Sequence, residues 1–292
     1  MSNARPLQWC HYDFKAMGSP CSISLYAPDA QQGANTIQQA VADIVRLENK
    51  FSRYQKNNPL FHVNQAAANG ASIAIDDEFR SLLNYADTCY QQSNGLFDIT
   101  AGALRHVWDF SSTNLPQQSD IEHALENVGW TSVTVENNQL SFGKPHMEID
   151  FGGIVKEYAA DSAANICLAQ GTRHGIVNLG GDIKAIGPHP DGKPWHVNIR
   201  DPEHPGKHMG SLELINEGIA TSGNYERFID INGKRYCHIL SPKTGWPVTG
   251  LSSVTVKASQ CVIAGSACTI AMLMEDKGPD WLRNLGVEFL HQ

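Results

Sequence analysis

The chain has 292 residues and a mass of 32.0 kDa, with 41% hydrophobic and 18% charged residues, proportions that exclude wholesale disorder and allow a large buried core. Its net charge of −8 and pI near 5.8 weigh against a general nucleic-acid binder, which needs a basic face. They leave room for a ligand carrying a few phosphates, because helix starts, a few Lys or Arg side chains or a metal reverse the field locally. No apolar run reaches the ~18 residues of a membrane span. The N-terminal stretch Met1–Phe14 is polar, carries Arg5, His11 and Asp13, and does not read as a signal peptide, so a cytoplasmic location is expected.

The predicted elements open with a strand at Cys21–Tyr26, short and bounded by turn formers. A helix over Thr36–Phe51 follows from the apolar stripe of Ile37, Val41, Ile44, Val45 and Phe51. Asp76 is the expected N-cap of a second helix through Phe79, Leu82, Leu83, Ala86 and Tyr90, closing near Gly95. After a strand at Ser132–Val135, a third helix is predicted over Ile154–Gln170, with Gly171 at its C-terminal cap. Strands at Gly175–Leu179, His196–Ile199 and Ser253–Val256 precede a last helix within Ala264–Met274. The mixture lacks strict strand–helix alternation and holds neither a GxGxxG after a strand nor a GxxxxGK[ST] loop, which demotes nicotinamide dehydrogenases and P-loop NTPases. The expected class is α+β, one unit over residues 1–292. The seven cysteines are scattered without a CxxC pair and read as small buried hydrophobes in a reducing compartment.

Four glycine-rich segments carry the chemistry. In Asp150–Tyr158, Gly152 and Gly153 precede a helix start, so N–H groups without a neighbouring Cβ form an anion seat, and Lys156 falls in the first turn. Asn178–Ile183 sets the bare backbone of Gly180 and Gly181 beside Asp182. Thr221–Arg227 groups the hydroxyls of Thr221 and Ser222 with Gly223 and Arg227. His238–Pro247 ends a β-like run on a histidine and then turns. Taken singly, a Gly-Gly pair is usually a tight turn and a lone histidine usually structural.

In order and spacing these segments resemble the ApbE family of FAD:protein FMN transferases. The likeness begins at Ala16-Met17-Gly18 and continues through Leu47-Glu48, Phe51–Tyr54 and Val63-Asn64. Gly95–Gly102, containing Asp98, is similar to the family's Gly-x-Phe-Asp-Ile-Thr-x-Gly block, with Trp108 after it. Asp150–Asp161, Asn178–Asp182 with Gly187-Pro188 and Trp195, Thr221–Tyr225, and His238 with Pro242, Thr244, Gly245 and Pro247 complete it.

The resemblance implies an α+β unit of two packed lobes with FAD in the cleft between them. It also implies Mg²⁺ on the pyrophosphate, and transfer of FMN to a Ser or Thr hydroxyl of an acceptor flavoprotein with release of AMP. Lys156 is then expected to neutralise phosphate charge and His238 to move the proton. Met17, Tyr54, Asn64, Asp98, Trp108, Gly152, Gly153, Gly180, Gly181, Asp182, Thr221, Ser222 and Gly223 are expected around FAD. Tyr54 and Trp108 would be stacking surfaces, if they are not core. Thr269 and the backbone carbonyl of Val155 are expected at the metal. Two positions depart from the family pattern. Gly265 stands where an Asp commonly precedes Thr269 by one turn, and Ser241 stands where an Asp is usual; a weaker Mg²⁺ site follows. Glu157 stands where the family often has Gly. The alternatives are a FAD-binding protein without transferase chemistry and a FAD pyrophosphatase yielding FMN and AMP.

Overall fold

A computed structural model describes residues 6–112, 114–204, 206–225 and 227–292. Met1–Arg5 of the polar N-terminal stretch, and Glu226 of the third glycine-rich segment, lie outside the described residues. The chain opens as a hairpin of β1 (Gln8–Ala16) and β2 (Ser19–Ala27). Its two-residue turn, Met17-Gly18, has φ of 52° and 70°, the left-handed pair that matches the twist of a tight hairpin. Met17 tolerates that backbone because its N–H donates to Glu48 Oε1 at 2.7 Å. Helix α1 (Ala30–Phe51) begins six residues before the predicted start, since Asp29 caps it by accepting from the Gln32 N–H at 2.8 Å.

Next come α2 (Pro59–Ala68), the short β3 (Ile73–Ala74) and α3 (Asp77–Gln92). Asp76 caps α3 as expected, accepting from the Phe79 N–H at 2.8 Å. Helix α4 (Gln118–Leu125) and strands β4 (Val133–Glu136) and β5 (Gln139–Phe142) lead to α5 (Val155–Ala169). Helix α5 matches the predicted helix to within a residue at each end, and Gly171 takes φ +92° just beyond it.

The second half is mostly strand: β6 (Gly175–Leu179), β7 (Asp182–Ile186), β8 (Trp195–Arg200), β9 (His208–Leu214), β10 (Gly218–Gly223), β11 (Phe228–Ile231), β12 (Lys234–Cys237) and β13 (Ser253–Ala258). Helices α6 (Cys261–Met274) and α7 (Gly278–Leu285) and strand β14 (Glu288–His291) end it. Seven strands form one sheet in the order β1-β2-β6-β7-β10-β13-β14, each neighbour antiparallel. Helices α1, α5 and α6 lie together on one face of it, giving the α+β arrangement expected.

Three apolar clusters shape the space around that sheet. The largest joins the sheet to α1, α5 and α6, with Ile23, Leu25, Ala163, Val254 and Ala271 fully enclosed. A second gathers Leu104, Trp108, Ile121, Ile229, Tyr236 and Leu240 into a smaller lobe. In the third, the β8–β9 hairpin lays Ile199, Leu212 and Leu214 on Ile183, Ala185 and Ile219 of the sheet's other face. No helix among the described residues is long and apolar enough to cross a membrane. All seven cysteines are free thiols, and all but Cys10 are buried.

The junction of α5 and α6 rests on one carboxylate. Asp161 accepts from the backbone N–H groups of Cys261 and Val262, each at 2.9 Å, and so caps α6 from the neighbouring helix. Burial pushes its pKa up, against the two N–H donors. Replacing it with alanine strands two buried donors. Asp161→Ala is therefore expected to lose about 2–3 kcal/mol in urea unfolding, with Asp161→Asn losing less because it keeps an acceptor.

Candidate active site

A cleft of about 860 Å³ opens between the main sheet and the smaller lobe, in the upper part of the usual ~300–1,000 Å³ range for ligand pockets. Its walls come from segments far apart in sequence. The β1–β2 turn contributes Gly18 and Ser19, and the run after α3 contributes Asp98 and Arg105. Gly152, Gly153 and Lys156 come from the start of α5, and Gly180, Gly181 and Asp182 from the β6–β7 turn. Strand β10 supplies Thr221, Ser222 and Gly223, the end of the β11–β12 hairpin His238, and α6 Thr269. The four glycine-rich segments thus meet in one place.

The β6–β7 turn stays tight because Gly180 and Gly181 have φ of +66° and +100°, a left-handed backbone costly to other residues. Asn178 Oδ1 holds it, accepting from the Gly181 N–H at 2.8 Å. The turn delivers Asp182 to the cleft wall with only 2% of its surface exposed. There Asp182 Oδ2 lies 2.6 Å from Lys156 Nζ, and Oδ1 accepts from the Thr221 N–H at 3.3 Å. Burial works against the Lys156 charge, but the Asp182 carboxylate outweighs it and raises the lysine pKa. Lys156 is therefore a fixed cation, already paired.

The helix-start anion seat is smaller than the sequence suggested. The Gly152 N–H donates to Asp150 Oδ1 at 2.9 Å, and those of Ile154 and Val155 donate to the Phe151 carbonyl. Of the N–H groups of Gly152, Gly153 and Ile154, that of Gly153 is the one left without a partner among the described residues. Asp150 is clamped by Arg53 at 3.1 Å and Arg105 at 2.9 Å. Burial opposes its ionisation, yet the two guanidiniums and the Gly152 N–H hold its pKa below the usual carboxylate range.

His238 is partly buried, and its Nδ1 lies 3.1 Å from the Arg227 carbonyl. A carbonyl only accepts, so Nδ1 carries the hydrogen and Nε2 keeps the free lone pair. Burial first, then the cations Arg105, Arg227 and Lys156, lowers its pKa to about 4 despite the Arg227 carbonyl. At neutral pH it is an uncharged imidazole, poised to accept a proton.

Five of the predicted residues stand off the cleft wall. Met17 lies one place before Gly18, with its N–H committed to Glu48. Tyr54 is 72% exposed and accepts from Arg227 Nη1 at 3.2 Å, at the rim rather than inside. Asn64 is bonded both ways to the Ile149 backbone, at 2.9 and 3.0 Å, and borders a different cavity; it braces the strand-like run into Asp150. Trp108 is 3% exposed, donates to the Gly245 carbonyl at 2.7 Å and packs on Phe110, Tyr236 and Trp246, so it is core and offers no stacking face. Val155 is buried within the first turn of α5.

The cleft also holds cations the sequence reading passed over. Arg105, Arg200 and Lys207 join Lys156 and Arg227, five positive side chains against the carboxylates of Asp98, Asp150, Glu157 and Asp182. In a chain with 22 Lys and Arg against 30 Asp and Glu, that is a local reversal of sign. Arg200 and Lys207 arrive on the β8–β9 hairpin, and only its packing on the far sheet face turns them toward the glycine-rich turns. Glu157 lines the cleft too, although 93% of it is covered; burial, followed by the nearby Asp182 charge, pushes its pKa well up.

For Mg²⁺ the fit is one of oxygen donors. Among the described residues no group of three or more His, Cys, Asp or Glu side chains is placed to hold a metal alone. The same cleft is lined by the carboxylates of Glu157 and Asp182 and by the hydroxyls of Ser222 and Thr269, the two hydroxyls 3.3 Å apart. A partial oxygen set of this kind suits a cation that completes its shell with ligand phosphates and water, the usual habit of Mg²⁺.

Lys156→Met would leave the Asp182 carboxylate buried without its counter-charge. A loss of about 3 kcal/mol in unfolding free energy is expected, measured by urea titration at neutral pH. Lys156→Arg should recover part of it.

Comparisons with known proteins bear directly on this cleft. The sequence profile of the ApbE family matches residues 17–291. A FAD:protein FMN transferase of Haemophilus influenzae is 30% identical over 278 residues, covering 90% of this chain and 80% of its own. One of Chlamydia pneumoniae is 31% identical over 257 residues, covering 85% and 79%. The crystal structure of the ApbE protein of Thermotoga maritima superposes with a TM-score of 0.88 at 29% identity, covering 97% of this chain and 94% of the other. The apo flavinyl transferase ApbE of Pseudomonas stutzeri gives 0.87 at 25%, covering 98% and 91%. By profile, by relatives and by fold, this chain belongs to the ApbE family.

Proposed function

We propose that this chain is a FAD:protein FMN transferase that binds FAD in the cleft and passes its FMN half to a Ser or Thr hydroxyl of an acceptor flavoprotein, releasing AMP. The observation that carries this reading is the concentration of five cations and four glycine-rich segments around one cleft of a net-acidic chain. Relatives named for this reaction align over most of its length. The seven free thiols suit a reducing compartment, and we read the place of action as the cytoplasm. Residues 1–292 are read as one catalytic unit.

In the reaction the acceptor hydroxyl oxygen attacks the phosphorus of the FMN half. A new P–O–C bond forms as the P–O bond to the AMP phosphate breaks, and AMP leaves with the electron pair. The hydroxyl proton passes to His238 Nε2, the ring nitrogen left free by the Nδ1–H bond to Arg227. Arg105, Arg227 and the Lys156–Asp182 pair set the field at the pyrophosphate, with the Gly153 N–H as a further donor. Thr269 and the carboxylate of Asp182, both on the cleft wall, are the groups assigned to Mg²⁺, which would neutralise charge on the non-bridging phosphate oxygens. The Gly180–Gly181 turn gives the ligand close access to bare backbone.

The test is to incubate the protein with FAD, Mg²⁺ and an acceptor flavoprotein and read covalent flavin fluorescence on a denaturing gel. Fluorescence on the acceptor supports transfer. Release of FMN and AMP without labelling would indicate a pyrophosphatase, and FAD binding without turnover would indicate a carrier. His238→Ala is expected to keep FAD binding, seen as quenching of flavin fluorescence, while transfer slows by about a hundredfold.

The depressed His238 pKa sets a second expectation. The base form persists down to about pH 4, so His238-dependent activity should not halve near the ordinary histidine value of 6.5. In the stability profile the sign is fixed by the same shift. As pH falls through 6.5 the unfolded chain takes up this proton while the native chain does not, so native stability drops progressively toward pH 4. His238→Ala should lack that part of the drop when unfolding is followed from pH 7 to 4.

A further inference from the structure

Two neighbouring positions on different helices are matched in shape. Gly265 lies on α6, and a Cβ built there would stand 2.5 Å from Glu157 Cγ and 2.8 Å from both its Cδ and Oε1. Glu157, on the first turn of α5, therefore fills the space that any side chain at position 265 would occupy. Such close approach is open only to glycine at 265. The carboxylate brought there is not satisfied by the protein. Glu157 is 7% exposed, and its Oε2 has no hydrogen-bond partner among the described residues. Asp182 Oδ2 also lacks a hydrogen bond, although it lies close to Lys156 Nζ. Both carboxylates line the cleft, as does Thr269 one turn along α6 from Gly265.

Buried carboxylate oxygens are costly unless something pairs with them. Lys156 supplies one positive charge to a pair that carries two negative ones when ionised. The remaining oxygens, with the Thr269 and Ser222 hydroxyls 3.3 Å apart, form an all-oxygen set suited to a hard divalent cation.

We propose that Glu157 is a carboxylate ligand of a divalent cation in the cleft, entering from α5 into the space left by Gly265, with Asp182 and Thr269 as its companions. This rests on reading the cleft as the flavin-transfer site, and it changes the meaning of Gly265. The α6 position gives up a side chain, and the carboxylate arrives from the facing helix instead.

Binding of Mn²⁺, followed by loss of the free-ion EPR signal, tests this on the full chain with and without saturating FAD. Glu157→Gln keeps size and burial but removes the charge, and it is expected to weaken Mn²⁺ binding by about tenfold or more. If Glu157 were only a buried protonated acid, Gln would serve equally well and Mn²⁺ affinity would not move, which overturns the proposal. A second comparison guards against misfolding. The exchange Glu157→Gly with Gly265→Asp presents a carboxylate from α6 and should bind Mn²⁺ more tightly than Glu157→Gly alone; equal affinities would also overturn the proposal. Flavin fluorescence quenching measured in EDTA keeps the two readings apart. FAD binding together with Mn²⁺ affinity indifferent to Glu157 removes the cation assignment and leaves the flavin reading standing. Glu157-dependent Mn²⁺ binding in a protein that never quenches FAD does the reverse.

Discussion

The contact on which the cleft depends is the pairing of Lys156 with Asp182. It joins the first turn of α5 to the tip of the β6–β7 hairpin across 2.6 Å, with Asp182 almost wholly covered. A pair this enclosed contributes little net stability over an apolar equivalent, because desolvation offsets most of the attraction. Its value lies in register. The charge on either side has one place to go, so the glycine-rich helix start and the glycine-rich turn are held at a single separation. Asp182 extends the tie to β10 by accepting from the Thr221 N–H, and Thr221 Oγ1 continues it to Thr255 Oγ1 at 2.8 Å.

Around this pair the protein repeatedly uses one element to finish another. Asp161 of α5 caps the start of α6, which has no local side-chain cap of its own. Asn64 of α2 braces Ile149, and Arg53 and Arg105 clamp Asp150 on the next residue. Glu157 and Gly265 interlock between the same two helices that Asp161 joins. Each device spends a polar group on a partner distant in sequence, so the geometry of the wall is set by tertiary contacts rather than by the local turns. It also explains why, of the N–H groups of Gly152, Gly153 and Ile154, only that of Gly153 is free among the described residues, since Asp150 and Phe151 have taken the others.

Electrostatically the cleft differs from the rest of the molecule. A chain with eight more acidic than basic residues places five cations on this one surface, and Arg105, Lys156 and Arg227 among them are oriented by Asp150, Asp182 and the rim residue Tyr54. The histidine among them is held neutral by burial and by those cations, with its hydrogen assigned to Nδ1 by the Arg227 carbonyl. The surroundings that favour a phosphate-bearing ligand thus also leave the imidazole able to take a proton.

Much of this was legible in the sequence where the signal was local. The Asp76 cap, the span of α5 with Gly171 beyond it, strand β6 and the α+β class all follow from patterns a few residues long, because caps, turns and periodicity are short-range physics. The ordered glycine-rich segments likewise marked ten residues that share the cleft, and the family resemblance added Asp98 and Thr269. What the sequence could not decide was direction. Trp108 and Asn64 sit in blocks that point to the cleft, yet their side chains turn into core and bracing contacts. Arg200 and Lys207 carry no local mark and reach the cleft only because β8 and β9 fold over the far sheet face. Glu157 and Gly265 are 108 residues apart, and each alone looks like a loss or an oddity. Only the packing of α5 on α6 makes them one feature, because whether a carboxylate is buried, paired or free depends on what lies within a few ångströms of it, and that is a property of the folded chain.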